Sequence, residues 1–215
     1  MKRSLRVLLT VVLMVAMAFA NTQGPNSGTT AGASWTNPTN AQVTDAVYAT
    51  CTTNNAPCSS SLSGSTYGFS IPAGATINGI TVTLVVHSAN NAWSLNNAFG
   101  GTGICVTKTA ATCAGTSKID AAAWATTDVT LTEGSGADLW GTTWTASDIN
   151  ATGFGVSINP ENGVALSKQA AVDSMLITVT FTPAAASSSS GFLKMFGFNQ
   201  KPKVRTQTRT FRMMH

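Results

Sequence analysis

Residues Tyr67–Leu84 read YGFSIPAGATINGITVTL. Tyr67, Phe69 and Ile71 alternate with small or polar residues, and Pro72-Ala73-Gly74 then turns the chain. From Ile80 the alternation resumes. Ile80, Val82, Leu84 and Val86 share one face, and Thr81 and Thr83 lie on the other. A period of two rich in β-branched residues marks a half-buried strand, and Pro-Ala-Gly is a turn signal. Asn78–His87 is therefore expected to be the spine of a sheet protein.

The same alternation recurs on both sides of it. Strands are expected at Val47–Cys51, at Ile104–Lys108 and at Asp128–Thr132, with Val129 and Leu131 inward. Phe154, Val156 and Ile158 predict another. Val172–Phe181 predicts the last, with Met175, Ile177, Val179 and Phe181 on one face. Asn159-Pro160-Glu161-Asn162-Gly163 reads as a turn, and Lys118–Trp124 as a short helical turn. Thr145-Ala146-Ser147-Asp148 has the Ser/Thr-x-x-acid form of a capping box, which predicts one helical turn before Asn150. About seven or eight short strands without a long helix define an all-β chain, an antiparallel β-sandwich or jelly roll.

Composition agrees. Only 9% of the residues are charged, against about 25% in an average soluble domain. The surface must be made from Thr, Ser, Asn, Gly and Ala, which favours strands and turns over helices. The formal charge of +4 conceals an uneven distribution. Lys2, Arg3 and Arg6 lie near the start, and Lys194, Lys201, Lys203, Arg205, Arg209 and Arg212 lie in the last segment. Between them, Lys108, Lys118 and Lys168 face eight acids, a net of −5. An acidic body gives no electrostatic reason to expect a specific nucleic-acid partner.

Met1–Ala20 has a basic start, an apolar run and Ala18-Phe19-Ala20 at its end, the form of a secretory signal peptide. Its apolar run of about fourteen residues is short of the roughly twenty that a spanning helix needs. The predicted organisation is a signal peptide over 1–20, a flexible segment over 21–34, a single sandwich domain over 35–183, an Ala/Ser linker over 184–190 and a basic tail over 191–215. The tail combines Phe192, Leu193, Met195, Phe196 and Phe198 with its six basic residues, a composition suited to an anionic surface.

In an exported chain four cysteines suggest disulfides, and three connectivities are open. Cys51 with Cys58 and Cys105 with Cys113 are the simplest, because each pair flanks a short turn-rich segment. Such loops of about eight residues would contribute ~2–3 kcal/mol each by constraining the unfolded chain. Neither pair has C-x-x-C spacing, and no His stands near enough in sequence to complete a zinc set.

Catalytic patterns are weak. His87 and His215 are the two histidines, and there is no G-x-S-x-G elbow. Asp138, Asp148 and Asp173 could in principle supply paired carboxylates for glycoside hydrolysis, but acids in sandwich loops more often cap turns. No cofactor or metal is expected; a structural Ca²⁺ is the alternative, without a D-x-D-x-D-G loop to support it. Asn150-Ala151-Thr152 fits a glycosylation acceptor and is read as a turn. The loop Ser88–Gly103 carries the better binding reading. Trp93 offers a ring on which a sugar could stack, and Asn90, Asn91, Asn96 and Asn97 offer amides for its hydroxyls. The competing reading folds Trp93 and Phe99 back over a sheet edge. Trp35, Trp124, Trp140 and Trp144 are expected to pack.

Taken in order, GFSIPAGATINGITV, DLWGTTWTASDINATGFGVSI and VDSMLITVTF resemble a β-sandwich module found in tailed-phage structural proteins and in bacterial secreted or surface proteins. The likeness covers Ser34–Pro183. It implies the fold and an extracellular or virion-surface role, and it carries over no catalytic set. The cysteine pairs, the leader and the basic tail depart from it, and the leader argues against assembly in the cytoplasm. The expectation is a secreted, non-catalytic structural or adhesive module with a cell-surface or glycan ligand. The alternatives are a self-assembling subunit of a phage particle or appendage and, further off, a glycan-active enzyme.

Overall fold

The computed structural model describes residues 19–109 and 112–185. The leader up to Ala18, the linker beyond Ala185 and the basic tail, with Lys194, Lys201, Lys203, Arg205, Arg209 and Arg212, lie outside these residues.

The described chain opens with β1 (Asn21–Ser27), β2 (Thr29–Ala31) and a 3-10 turn at Pro38–Ala41. β3 (Ala49–Thr53), β4 (Leu62–Ser65), β5 (Thr76–Ser88) and β6 (Trp93–Ser94) follow. Next come β7 (Gly103–Thr109), β8 (Thr112–Cys113) and β9 (Val129–Ser135). After α1 (Ala146–Asn150) the chain ends in β10 (Gly155–Asn159), β11 (Glu161–Asn162) and β12 (Lys168–Thr182). One sheet has the order β1-β12-β5-β9, with β3 also paired to β12. The second has the order β2-β4-β10-β7-β8, and β6 and β11 form a small ribbon. The strand pairings are antiparallel. The fold is an antiparallel β-sandwich, as the alternation predicted.

β5 and β12 are its axis. They pair from Thr76 opposite Thr182 to Ser88 opposite Ala170, with a bulge between Val172 and Ser174. The other edge of β12 is divided. β1 takes Leu176–Phe181, and β3 takes Lys168–Val172. Ile80, Val82, Leu84 and Val86 are fully buried, as are Met175, Ile177 and Val179. Leu62, Ile104, Val106, Val156 and Ile158 bring the second sheet into the same core. Each such side chain contributes about 1.5–3 kcal/mol by leaving water. Tyr67 ties the layers by donating its buried hydroxyl to the Met175 carbonyl at 3.2 Å, and burial raises its pKa.

Several expectations change. Asn21–Ser34 is not a loose segment, since β1 and β2 lie within it. Their side chains are mostly exposed, so the strands are held by backbone pairing that leaves no apolar alternation to read. Lys118–Trp124 is extended rather than helical. Lys118 exchanges backbone bonds with Ile104 at 2.7 and 2.9 Å, and Trp124 N donates to the Trp93 carbonyl at 2.7 Å. These tertiary bonds override the helix preference of Ala121–Ala123. Tyr67–Ile71 does alternate buried and exposed, but without a ladder. Side chains serve its backbone instead: Asn26 at the Tyr67 carbonyl, Gln23 at the Ser70 N–H, and Asn150 at both the N–H and carbonyl of Ile71. The same two bonds occupy the side chain of the Asn150-Ala151-Thr152 motif. The capping box forms as predicted, with Asp148 N on Thr145 Oγ1 at 3.0 Å and Thr145 N on Asp148 Oδ2 at 2.9 Å.

Candidate functional site

β5 is thirteen residues long, so it separates two ends of the sandwich by about 40 Å. At one end the Pro72–Ala75 turn and α1 flank an open groove of about 630 Å³ that includes Thr76, Leu139, Trp144 and Ser147. At the other end the irregular segments collect, and here the chain from Ser88 to Gly103 is built into a fixed shape.

Its organiser is Glu161, which is 1% exposed. Glu161 Oε1 accepts the Ala98 N–H at 2.8 Å, and Oε2 accepts those of Phe99 at 2.9 Å and Gly101 at 3.2 Å. Three N–H donors converge on one carboxylate, which satisfies a charge that would otherwise be costly to bury. Gly101 makes the approach feasible. A Cβ there would meet the Asn96 carbonyl at 2.5 Å and Glu161 Oε2 at 3.1 Å.

Asn162 holds the neighbouring segments. Its Nδ2 donates to the carbonyls of Thr53 at 2.8 Å and Leu166 at 2.9 Å, and its backbone N–H donates to Ala56 at 3.0 Å. Cys58 N donates to the Pro160 carbonyl at 3.1 Å. The Cys51–Cys58 disulfide closes this loop, and Cys105–Cys113 closes the other, as expected. Asn159–Gly163 is thus no exposed turn. Glu161 and Asn162 are buried, and β11 pairs there with β6. The sequence offered one hint, a glutamate in a chain almost without them, beside a loop of small residues.

The predicted glycan contacts are redistributed. Trp93 is fully buried, so it offers no ring face to a sugar, and the reading in which both rings fold back holds for Trp93 but not for Phe99. Asn91 and Asn97 are exposed. Asn96 is half-buried and its Oδ1 accepts the Asn97 N–H at 2.9 Å, while Asn90 turns its side-chain oxygen inward. The exposed aromatic ring of the loop is Phe99, at 41%. Between Ser88 and Gly103 there is no charged residue, and Glu161 beneath is sealed from solvent. The surface is neutral, amide-rich and partly apolar.

Asp138, Asp148 and Asp173 each answer to a different set of structural partners. Asp138 pairs with Lys118 at 2.7 Å and accepts the Trp140 N–H, which holds its pKa low. Burial opposes ionisation of Asp148, but Thr145 and Lys108 outweigh it and the pKa falls. Asp173 lies in the β12 bulge, buried, with Oδ1 accepting the N–H groups of Asp45 and Ala46 at 3.1 Å. Both lysines also lie over tryptophan rings, Lys108 at 5.1 Å from Trp144 and Lys118 at 5.0 Å from Trp140. His87 Nδ1 meets Asp128 Oδ1 at 2.7 Å, and Tyr48 donates to Asp128 Oδ2 at 3.0 Å. Burial and the nearby Asp128 raise the pKa of Tyr48. Burial and Asp120 do the same for Glu133 on β9. Among the described residues, no three His, Cys, Asp or Glu side chains gather as a metal-binding group, and no helix is long and apolar enough to cross a membrane.

Fold and site together define an all-β sandwich with one stapled loop end, whose Ser88–Gly103 segment carries no charged residue. Compared with models of protein families, with curated proteins and with solved structures, the chain finds no match in any of the three.

Proposed function

We propose that this chain is a secreted, non-catalytic sandwich acting at a surface as a structural or adhesive module, with the loop end as its contact face. The observation that carries the reading is the grip of Glu161 on three loop N–H groups. It pre-organises an irregular surface, and a pre-ordered surface loses little entropy on binding. A neutral face of amides with one exposed ring suits the hydroxyls and apolar faces of a glycan better than it suits an ion. The two disulfides, with the leader, support an oxidising destination. The structural duties of Asp138, Asp148 and Asp173 support a non-catalytic role.

The test is a glycan-array and whole-cell binding screen of the purified protein beside Phe99→Ala. Binding should fall on the order of tenfold in the variant. Absence of binding, or equal binding by both, overturns the contact face. Trp93→Ala is unsuited to this test, because it would remove core. The basic tail is a second candidate contact, for anionic surfaces. Adsorption to anionic vesicles at low salt should vanish in a chain ending at Pro183.

The alternative of an assembly subunit draws on the resemblance to phage structural modules and on β9, an edge strand that among the described residues pairs with β5 alone. Large species in light scattering would favour it. Turnover lost on changing Asp138 or Asp148 would instead favour an enzyme.

A further inference from the structure

Three of the five tryptophans donate the indole N–H to a backbone carbonyl: Trp35 to Ser60 at 3.0 Å, Trp140 to Ile80 at 2.9 Å and Trp144 to Leu139 at 2.9 Å. Trp93 and Trp124 do not. Both are fully buried, and neither Nε1 has a partner among the described residues. The side-chain oxygens of Asn90 and Asn159 are also buried, with no partner among the described residues. All four groups belong to the Ser88–Gly103 loop or to segments joined to it. Trp124 N donates to the Trp93 carbonyl at 2.7 Å, and Ser88 Oγ donates to the Trp124 carbonyl at 2.9 Å. Asn91 N donates to that same Ser88 hydroxyl at 3.1 Å, and Asn159 pairs with Gly103 where the loop ends.

Buried polar groups are paired in native proteins with few exceptions, and a buried indole N–H usually finds an acceptor. Here two donors and two acceptors are left over at one end of the molecule. A cation would be repelled by the N–H groups, and an anion by the amide oxygens. A hydroxyl satisfies both, since it donates and accepts. We propose that Trp93 Nε1, Trp124 Nε1, Asn90 Oδ1 and Asn159 Oδ1 are the lining of an interior site beneath the loop for a neutral hydroxylic ligand, water in the free protein. Water held there is part of the fold, bridging groups that the chain leaves unpaired. A sugar hydroxyl has the same chemistry, and the experiment separates the two sources. The proposal is independent of the surface contact at Phe99.

The measurement is water cross-relaxation to the indole N–H protons in protein labelled with ¹⁵N at tryptophan. Trp93 and Trp124 should show contacts with long-lived water, and Trp35, Trp140 and Trp144 should show none. Silence at both Trp93 and Trp124, or equal contacts at all five, overturns the proposal. Asn159→Ala removes an acceptor that makes no bond among the described residues, so the fold should persist and at least one of the two water contacts should be lost. Retention of both contacts in that variant overturns the role of Asn159 and with it the site. Addition of glucose, galactose or N-acetylglucosamine distinguishes the sources. Saturable loss of the water contacts with shifted indole resonances identifies a sugar hydroxyl, and unchanged contacts identify water.

Discussion

Trp93 and Glu161 exchange the parts that residue type alone assigns them. An aromatic in an Asn-rich loop looks like a ligand platform, yet it is core; a glutamate in a turn looks solvated, yet its buried carboxylate accepts three loop N–H groups. Trp93→Ala should therefore cost about 3–5 kcal/mol, the range for emptying a buried aromatic site, and a urea titration would read it. Glu161→Gln keeps the shape but replaces one accepting oxygen with a donor facing N–H groups. The expected loss is about 2 kcal/mol, with faster proteolysis inside residues 96–101. Equal cleavage of the two proteins would contradict the anchoring role. For Trp93 the sequence leaves two readings open, and for Glu161 it gives only the hint of a rare glutamate, because each role depends on which distant segment meets the loop.

At the scale of elements, legibility followed apolar periodicity. β5, expected at Asn78–His87, spans Thr76–Ser88, and its legibility comes from Ile80, Val82, Leu84 and Val86 on the inward face. β12 was found for the same reason. The α1 turn was legible from Thr145 and Asp148, whose side chains make the cap themselves. β1 was missed, since NTQGPNS buries little and its strand is defined by β12. Lys118–Trp124 was misread because alanines favour a helix only where no sheet edge competes. β1 nevertheless covers one half of an edge of the longest strand. A chain that begins at Ser34 should expose Leu176–Phe181 on that edge, lose several kcal/mol and self-associate. Light scattering and a shifted urea midpoint would report it, and an unchanged midpoint would make β1 an ornament.

For the whole molecule, the scarce charges act as fasteners. Asp138 and Asp148 have pKa values below those of the unfolded chain. Their stabilisation is thus complete above about pH 4 and is lost as pH falls through the lower folded values. Because both are partly exposed, each should contribute no more than about 1 kcal/mol. The urea midpoint should hold between pH 7 and pH 5 and decline below about pH 4, and Asp138→Asn with Asp148→Asn should flatten that decline. A decline of equal size in the double variant would place the acid sensitivity elsewhere.

The Glu161 carboxylate holds the loop through main-chain N–H groups, and every residue type but proline supplies one. The shape at Ala98 and Phe99 therefore places almost no demand on which side chains stand there. Shape and chemistry are separable at this end of the molecule, so new specificities could be written onto 97–99 by simple replacement, one letter at a time, over a scaffold that does not register the edit.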